Sequence, residues 1–330
     1  MKFAFVASRT QTKDLQDHIL RGCDTPPMGN VFDTVIASLH LSIPDFDLSN
    51  LAPTATVPFR LQHVLVKAYY NKISSGLERE FELSARQKAV IGCVQSEHAK
   101  DFLLAIPMEG LGQRMTPVEY RAILRYRLMI PLYSDGELCP VCKKSRLDAF
   151  GDHAAHCKHY PGFKYRHDHV RDILCDVFWR AGVQVKKEAP VNLLTDPKEG
   201  RSTLRPADIL VYNWSEGKHA CVDVTGASPM VGLSAGIFEV GLAASNAAAA
   251  KVEKHDGACR ANQHSFIPFA FDTFGLLGSE AVELLRRVQK IMDSNVMTAG
   301  SNEYVFRRIG FAIQKRLAAQ FVARLSSTFV

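Results

Sequence analysis

Four residues that can bind a metal lie close together near the middle of the chain, and they constrain the local fold more than any other feature. Cys139 and Cys142 form a CxxC turn, and His153 and Cys157 follow within the same stretch of nineteen residues. Structural zinc takes four nitrogen or sulfur ligands at roughly 2.0–2.3 Å, and a CxxC turn with a HxxxC return can supply them. A disulfide would leave His153 and the third thiol idle. The sequence therefore predicts a zinc knuckle at 136–162.

The remaining cysteines do not form a second cluster. They are scattered singly, unlike the disulfide framework of a small secreted domain: Cys23, Cys93, Cys175, Cys221 and Cys259. His156 and His159 are spare imidazoles near the knuckle, and His156 is the weaker candidate because Cys157 beside it would also have to bind. The N-terminal apolar run is too short for a secretory leader, and no stretch approaches the roughly eighteen apolar residues of a membrane span. We therefore expect an intracellular protein without a membrane partner.

The length and net charge of the chain say little about its function. The 330 residues fit about two domains, and the net charge of +6 is compatible with an anionic partner without requiring one. Residues 1–57 are predicted as a helical segment that ends in a linker, because Ser42 to Pro58 is rich in proline and small polar residues. Residues 58–135 are predicted as helical, with a helix starting at the capping-box sequence Thr116-Pro117-Val118-Glu119. Residues 163–330 are predicted as a separate mixed domain.

The order of elements after the knuckle is more specific. An amphipathic helix around Val170 to Phe178 ends near Gly182 and is followed by a short strand at 183–185. A polar loop runs to Leu204, and 208–214 and 219–225 then form a hairpin around Ser215-Glu-Gly-Lys218. A helix over 238–255, a strand over 265–271 and two more helices complete the chain. The predicted fold class is α+β or α/β, with the order αβββαβ and trailing helices.

The hairpin allows a geometric prediction about two acidic residues. With a two-residue turn at Glu216-Gly217, Asp223 lies opposite Leu210 and Asp208 lies opposite Thr225. Both carboxylates then point to one face as diagonal neighbours, about 7–8 Å apart or less at their stems, and can reach one hard cation. A bulge would break this argument. Alternatively, Asp208 simply starts a strand and Asp223 is an edge charge, although Asp223 lies in an apolar run where an unpaired carboxylate is costly.

Taken together, these residues resemble the restriction-like endonuclease of non-LTR retrotransposons, a branch of the PD-(D/E)XK nucleases. The resemblance covers roughly Cys139 to His255. Its motifs occur in the order zinc knuckle, Arg166-His167, Arg205-Pro206-Ala207-Asp208, Val222-Asp223-Val224 and Lys251 to His255. It implies a restriction-endonuclease-like core, a nuclear location, and DNA as partner. No paired aspartates of a polymerase palm are present, so the resemblance implies a detached C-terminal part of a retroelement protein that does not itself reverse-transcribe.

The resemblance also implies roles for individual residues. Asp208 and Asp223 would bind catalytic magnesium, and Glu188 could assist. Many nucleases of this class carry a lysine where this chain has Thr225; in the retrotransposon branch the following helix supplies it, here as Lys251 or, by a small margin less favoured, Lys254. The candidate phosphate contacts are Arg166, His167, Lys186 and Lys187. The alternatives are a non-catalytic nucleic-acid-binding module and a structural zinc protein with a protein partner.

Overall fold

The structure is a computed structural model that describes residues 61–188, 207–231, 233, 238–295 and 304–326. The chain divides into two compact units, Met1–Leu83 and Ser84–Val330. In the first unit the described part is helix α1 (Leu61–Glu80), within a region predicted to be helical. The predicted segment 1–57, the polar loop at 189–204, and the motif residues Arg205 and Pro206 lie outside the described residues. The finer division of the chain at 57, 135 and 162 stays a prediction.

Two capped helices precede the knuckle. Helix α2 (Ala85–Gln95) starts at a capping box formed by Ser84, and α3 (Pro117–Arg127) starts at the predicted box formed by Thr116. The predicted helical composition from 84 to 106 continues as a helix only to Gln95. The Ser96 hydroxyl donates to the Cys93 carbonyl at 2.6 Å, which satisfies a terminal carbonyl without a further turn. Two short 3₁₀ turns follow, at Asp101–Leu104 and Glu109–Leu111.

Mixed α/β structure follows the knuckle, in the predicted order of elements. The knuckle contains the short helix α4 (Asp152–His156). The elements after it are α5 (Phe163–Arg180), β1 (Val185–Lys187), β2 (Ile209–Ser215), β3 (Lys218–Ala227), α6 (Leu242–Ala261), β4 (Ser265–Asp272), α7 (Ser279–Asn295) and α8 (Tyr304–Val322). The strands form one sheet in the order β1-β2-β3-β4. The first three are antiparallel, and β4 is parallel to β3 because α6 crosses over between them. The first strand and α6 both lie a few residues later than predicted.

Alternation along the strands separates the two faces of the sheet. Ile209, Val211, Val222 and Val224 are buried in the main core together with side chains of α5, α7 and α8. Their neighbours Leu210 and Cys221 are buried instead with Cys259 of α6. Because successive strand residues point to opposite faces, Asp208 and Asp223 belong to the face that α6 covers.

A second core joins the knuckle to the helices around it. The buried knuckle cysteines share an apolar cluster with Ile123 of α3 and with Leu317 and Phe321 of α8. Helix α8 also contributes Val305, Ile309 and Ile313 to the main core. The same helix therefore stabilises both the knuckle and the sheet. None of the helices in the described ranges has the length and apolar character needed to cross a lipid bilayer.

Candidate metal centre and acidic site

The four predicted knuckle ligands lie together. The ligand atoms of Cys139, Cys142, His153 and Cys157 are all within 4.8 Å of one another. Cys142 Sγ and His153 Nε2 are 3.5 Å apart. His156 lies outside this group, because its ring is exposed and its Nδ1 lies 2.8 Å from the Asp152 carbonyl oxygen. The prediction of these four residues as a group that could hold a metal ion is confirmed.

Local hydrogen bonds position the ligands. After the CxxC turn, Lys143 adopts a positive φ of 53°, and its N–H donates to the Cys139 carbonyl at 2.9 Å. The Asp148 carboxylate then accepts N–H groups from Phe150 and Asp152, and also the N–H of His153 at 2.7 Å. Asp148 therefore fixes the start of the helix that carries His153. Sequence reasoning missed Asp148, because it lies three residues before the Gly151 N-cap and not at the N-cap position, where an aspartate is the usual signal.

Electrostatics favour metal binding at the knuckle. Burial alone would raise the pKa of Cys142, but N–H groups of Ser145 and Lys144 and the neighbouring Cys139 and His153 hydrogen-bond to its sulfur and lower that pKa to about 6. The thiolate is the form of cysteine that binds metals. At neutral pH the Cys142 side chain is therefore in the state that a metal ion requires.

The second candidate site is formed by the two aspartates of the hairpin. Glu216 and Gly217 both have positive φ, as a two-residue type I′ turn requires. The pairing starts as predicted with Ser215 opposite Lys218, but Ile209 lies opposite Val222. Continuing that register by one residue puts Asp208 opposite Asp223, so the prediction of diagonal neighbours is wrong.

A bulge causes this difference. From Val211 to Ser215 strand β2 advances four residues, whereas β3 advances two, from Lys218 to Ala220. Asn213 lies inside this segment with φ of 48°. Two residues are inserted, which is an even number, so the side chains keep their predicted faces. The two carboxylates share one face and are closer than predicted.

Each carboxylate has a basic partner. Asp208 Oδ2 accepts the Val224 N–H at 2.8 Å and lies 3.1 Å from His167 Nε2. Asp223 is buried, and its Oδ2 lies 2.8 Å from Lys251 Nζ. The two carboxyl groups are close enough to change each other's pKa. The structure thus brings Lys251 to the acidic pair, whereas Lys254 is exposed and forms no ion pair among the described residues.

The two carboxyl groups have different proton affinities. Burial, together with the charge of Asp208, raises the pKa of Asp223 to about 6, against the opposing charge of Lys251. Burial alone would also raise the pKa of Asp208, but hydrogen bonds from His167 and Val224 lower it. Burial would lower the pKa of His167, but the bonds to Asp208 and Asp168 raise it. Two adjacent carboxyl groups whose pKa values move apart are typical of functional sites.

The raised pKa of Asp223 has a consequence for stability. Unfolded aspartate titrates near pH 3.9, so the folded protein favours protonated Asp223, and this contribution to stability is present below about pH 4 and lost as the pH rises through 6. Asp223→Asn should therefore raise the free energy of unfolding by about 2–3 kcal/mol near pH 8, without added divalent metal, and change it little near pH 4. Urea titrations at both pH values measure this difference.

Asp172 provides the control of opposite sign. Burial would raise the pKa of Asp172, but Lys187 and Arg171 lower it overall. Its stabilising contribution is present above the unfolded pKa, so Asp172→Asn should destabilise the protein near pH 8. Equal effects of Asp223→Asn at the two pH values would contradict the electrostatic description of the site.

The side chains of the predicted site residues on and next to β1 do not contact the Asp208–Asp223 pair. The Glu188 carboxylate pairs with Arg171 at 2.7 Å, and its backbone N–H, not its side chain, reaches Asp208. On β1, Lys186 is exposed and Lys187 Nζ lies 2.8 Å from Asp172. Glu188 and Lys187 therefore take part in ion pairs of the protein itself.

The two α5 residues predicted as phosphate contacts have other partners. The His167 ring lies between Asp208 and Asp168, 3.1 Å from each carboxylate. Arg166 is buried, and its Nη1 donates to Gln320 Oε1 at 2.7 Å. His167 thus acts on Asp208 in this structure, and Arg166 is anchored in the interior.

A pocket adjoins the acidic pair. Its volume is about 250 Å³, and it is lined by Phe163, Lys164, Arg166, His167, Val224, Thr225, Gly226, Lys251 and Phe271. Sequence reasoning missed Phe163, Lys164 and Gly226 as pocket residues. Thr225, which stands where many nucleases have lysine, lies in this lining beside Lys251.

A search of protein-family models gives no match to this sequence, and a search of curated proteins gives none either. The chemistry of the site is therefore argued from its geometry.

Proposed function

We propose that this protein is a metal-dependent endonuclease that nicks DNA, related to the restriction-like endonucleases of non-LTR retrotransposons. One observation carries the proposal. Two carboxylates from neighbouring strands share a face with a lysine from the crossover helix, and the three lie beside a pocket lined by basic residues. Paired carboxylates with an adjacent cation are suited to phosphodiester hydrolysis, in which charge develops on phosphate oxygens.

The residues present fit a magnesium ion. Magnesium prefers oxygen ligands and is commonly held by one or two carboxylates. Asp223 Oδ2 is buried, lies 2.8 Å from Lys251 Nζ, and has no hydrogen-bond partner among the residues that the structure describes. Asp208 and Asp223 would hold the ion. Magnesium there would supply a polarised water and neutralise the charge that develops on the phosphate.

The protein's own residues prepare the site. The Val224 N–H and His167 hold one oxygen of Asp208 in place, so its orientation is fixed before substrate arrives. Lys251 places a positive charge next to Asp223, at the edge of the pocket where a phosphate can lie. Thr225 cannot supply that charge, so Lys251 serves as the cation that completes the site.

The knuckle supports the same function. Three cysteines and a histidine form a donor set suited to zinc, and four protein ligands leave no open position for catalysis. We therefore assign zinc a structural role, with the knuckle helping to position nucleic acid. A nuclear location belongs to this proposal, since DNA is the proposed substrate.

A second candidate function is a nucleic-acid-binding module that has lost its chemistry. It is favoured by the pairing of both carboxylates with basic side chains of the protein, since Asp223 contacts Lys251 and Asp208 contacts His167. Such pairs can stabilise a fold without any metal. Thr225 in the usual lysine position points the same way.

Nicking of supercoiled plasmid tests the two functions. We expect the wild-type protein to convert supercoiled plasmid to the nicked form with added magnesium and not without it. The double variant Asp208→Asn/Asp223→Asn should bind plasmid and leave it supercoiled. Equal background nicking by both proteins, with plasmid binding retained, would refute the endonuclease and support the module. Absence of both nicking and plasmid binding would refute both and leave a structural zinc protein.

A further inference from the structure

The pocket beside the acidic pair is built around the start of helix α5. Phe163, Lys164, Arg166 and His167 come from its first turns and form one wall. Gly226 keeps the opposite side open, since a Cβ there would lie 3.1 Å from the Phe271 ring and 3.7 Å from Arg166 Nη2. Any larger residue at 226 would project into the space between Phe271 and Arg166.

Positive charge is concentrated at this end of the helix. The N-terminus of an eighteen-residue helix carries a partial positive charge, which acidic residues usually offset. The first turn of α5 has no acidic residue, and its Gly162 N-cap has no side chain that could accept a hydrogen bond. Lys164 and Arg166 add two full positive charges at the same place. Together these charges favour the binding of an anion at this end of the helix.

Arg166 is a buried basic residue of the pocket lining. It is only 3% exposed, and among the described residues no carboxylate forms an ion pair with it, although the nearby Asp272 carboxylate partly opposes the lowering of its pKa by burial. Arg166 donates a hydrogen bond to the neutral side chain of Gln320. A buried guanidinium needs hydrogen-bond partners, because burying a charge is costly. Arg127 and Arg324 find theirs in backbone carbonyls, whereas the Arg166 Nη2 group beside Gly226 can take a further partner. Its position in the pocket lining leaves room for that partner to be a bound ligand.

The pocket also offers an aromatic surface. Phe163 is 43% exposed although it is large and apolar, and it lines the pocket next to the basic residues. An exposed ring beside positive charge is the combination with which proteins bind unpaired nucleotides, by stacking the base and contacting the phosphate. We propose that this pocket binds a nucleotide whose base is unpaired, with its phosphate at Lys164 and Arg166 and its base against Phe163.

The position of the pocket relates it to the cut. Lys251 contacts Asp223 and also lines the pocket, so the two sites are adjacent. Thr225 lies two residues after Asp223 on β3, a distance of roughly 7 Å along a strand, which is on the scale of one nucleotide step. This inference rests on the proposed function, and it specifies the substrate as DNA with an unpaired nucleotide beside the cleaved bond.

Binding without cleavage tests the pocket separately from catalysis. The probes are fluorescent oligo(dT) and a blunt duplex of the same length, measured by anisotropy at constant salt without added magnesium. Phe163→Ala should weaken oligo(dT) binding about 5- to 150-fold, the range of one base–aromatic stack, and should hardly change duplex binding. Lys164→Gln should weaken both and reduce the salt dependence of oligo(dT) binding by about 0.7 in log–log slope. The matched control is Trp179→Ala, which removes a 56% exposed aromatic from the other end of the same helix.

The outcomes are distinct. Equal effects of Phe163→Ala and Trp179→Ala on oligo(dT) would overturn the pocket. The pocket would also be overturned if inorganic phosphate displaced oligo(dT) from the wild type and from Phe163→Ala at the same concentration. That result would show a site for small anions only. Loss of oligo(dT) binding through Phe163 in a protein that never nicks would support the pocket and refute the proposed endonuclease. Nicking with no dependence of binding on Phe163 would refute the pocket alone.

Discussion

Replacing Lys251 with alanine is expected to lower the nicking rate by a factor of roughly 10² to 10³ while changing DNA affinity only modestly. Lys251 Nζ lies 2.8 Å from Asp223 Oδ2 and at the edge of the pocket, so its charge is placed where the phosphate gains charge during hydrolysis. One charge among several phosphate contacts contributes little to affinity. A charge aimed at the transition state has a much larger effect on rate.

Lys254 is the matched control. It lies three residues further along the same helix and is exposed, so Lys254→Ala should nick at the wild-type rate. Single-turnover nicking rates and plasmid affinities of the two variants give the comparison, with thermal melting to show that both fold. Full nicking activity of the Lys251→Ala variant, or an equal loss of activity in Lys251→Ala and Lys254→Ala, would show that Lys251 only forms a stabilising ion pair with Asp223. The nucleic-acid-binding module would then be the better description.

Local signals in the sequence predicted much of the architecture. Capping boxes, glycines with positive φ and strand alternation depend on neighbours within a few residues, and they predicted the start of α3, the end of α5 near Gly182 and the turn of the hairpin. The CxxC and HxxxC spacings are equally local. This explains why the four knuckle residues were found correctly from the sequence.

The register of the hairpin could not be predicted from local sequence signals. The turn sequence alone predicts Asp223 opposite Leu210. No sequence pattern between Val211 and Ser215 indicates that β2 has two more residues than β3 in this segment. The bulge depends on how β2 packs against its neighbours. The prediction of a shared face survived only because an even number of residues was inserted.

The hydrogen-bond partners of the α5 side chains could not be predicted from the sequence for a different reason. His167 meets Asp208 across 41 residues, and Arg166 meets Gln320 across 154. Spacing along one helix predicts which side chains share a face, but not which other element covers that face. The sequence predicted phosphate contacts for both Arg166 and His167. In the structure His167 holds the Asp208 carboxylate, whereas Arg166 is buried in the lining of the pocket that we propose binds a nucleotide phosphate.

Zinc removal is expected to have the largest effect on stability. The purified protein should contain about one zinc per chain, because the ligand atoms of Cys139, Cys142, His153 and Cys157 lie within 4.8 Å of one another and this donor set suits tetrahedral zinc. Cys142→Ser should lose the metal and lower the melting temperature by ten degrees or more. Structural zinc contributes about 10–16 kcal/mol in zinc-finger peptides, and each kcal/mol corresponds to about 2–4 °C in a protein of this size.

The effect should extend beyond the knuckle because of helix α8. The knuckle cysteines pack with Leu317 and Phe321, whereas Ile309 and Ile313 of the same helix lie in the core of the sheet. Loss of the metal leaves buried sulfur ligands without their cation and loosens the end of α8. His156→Ala is the matched control, since this neighbouring histidine lies outside the ligand group and is exposed. Elemental analysis and calorimetry decide the matter: a zinc-free wild type, or equal melting temperatures for Cys142→Ser and His156→Ala, would show that the cluster is not a structural metal centre.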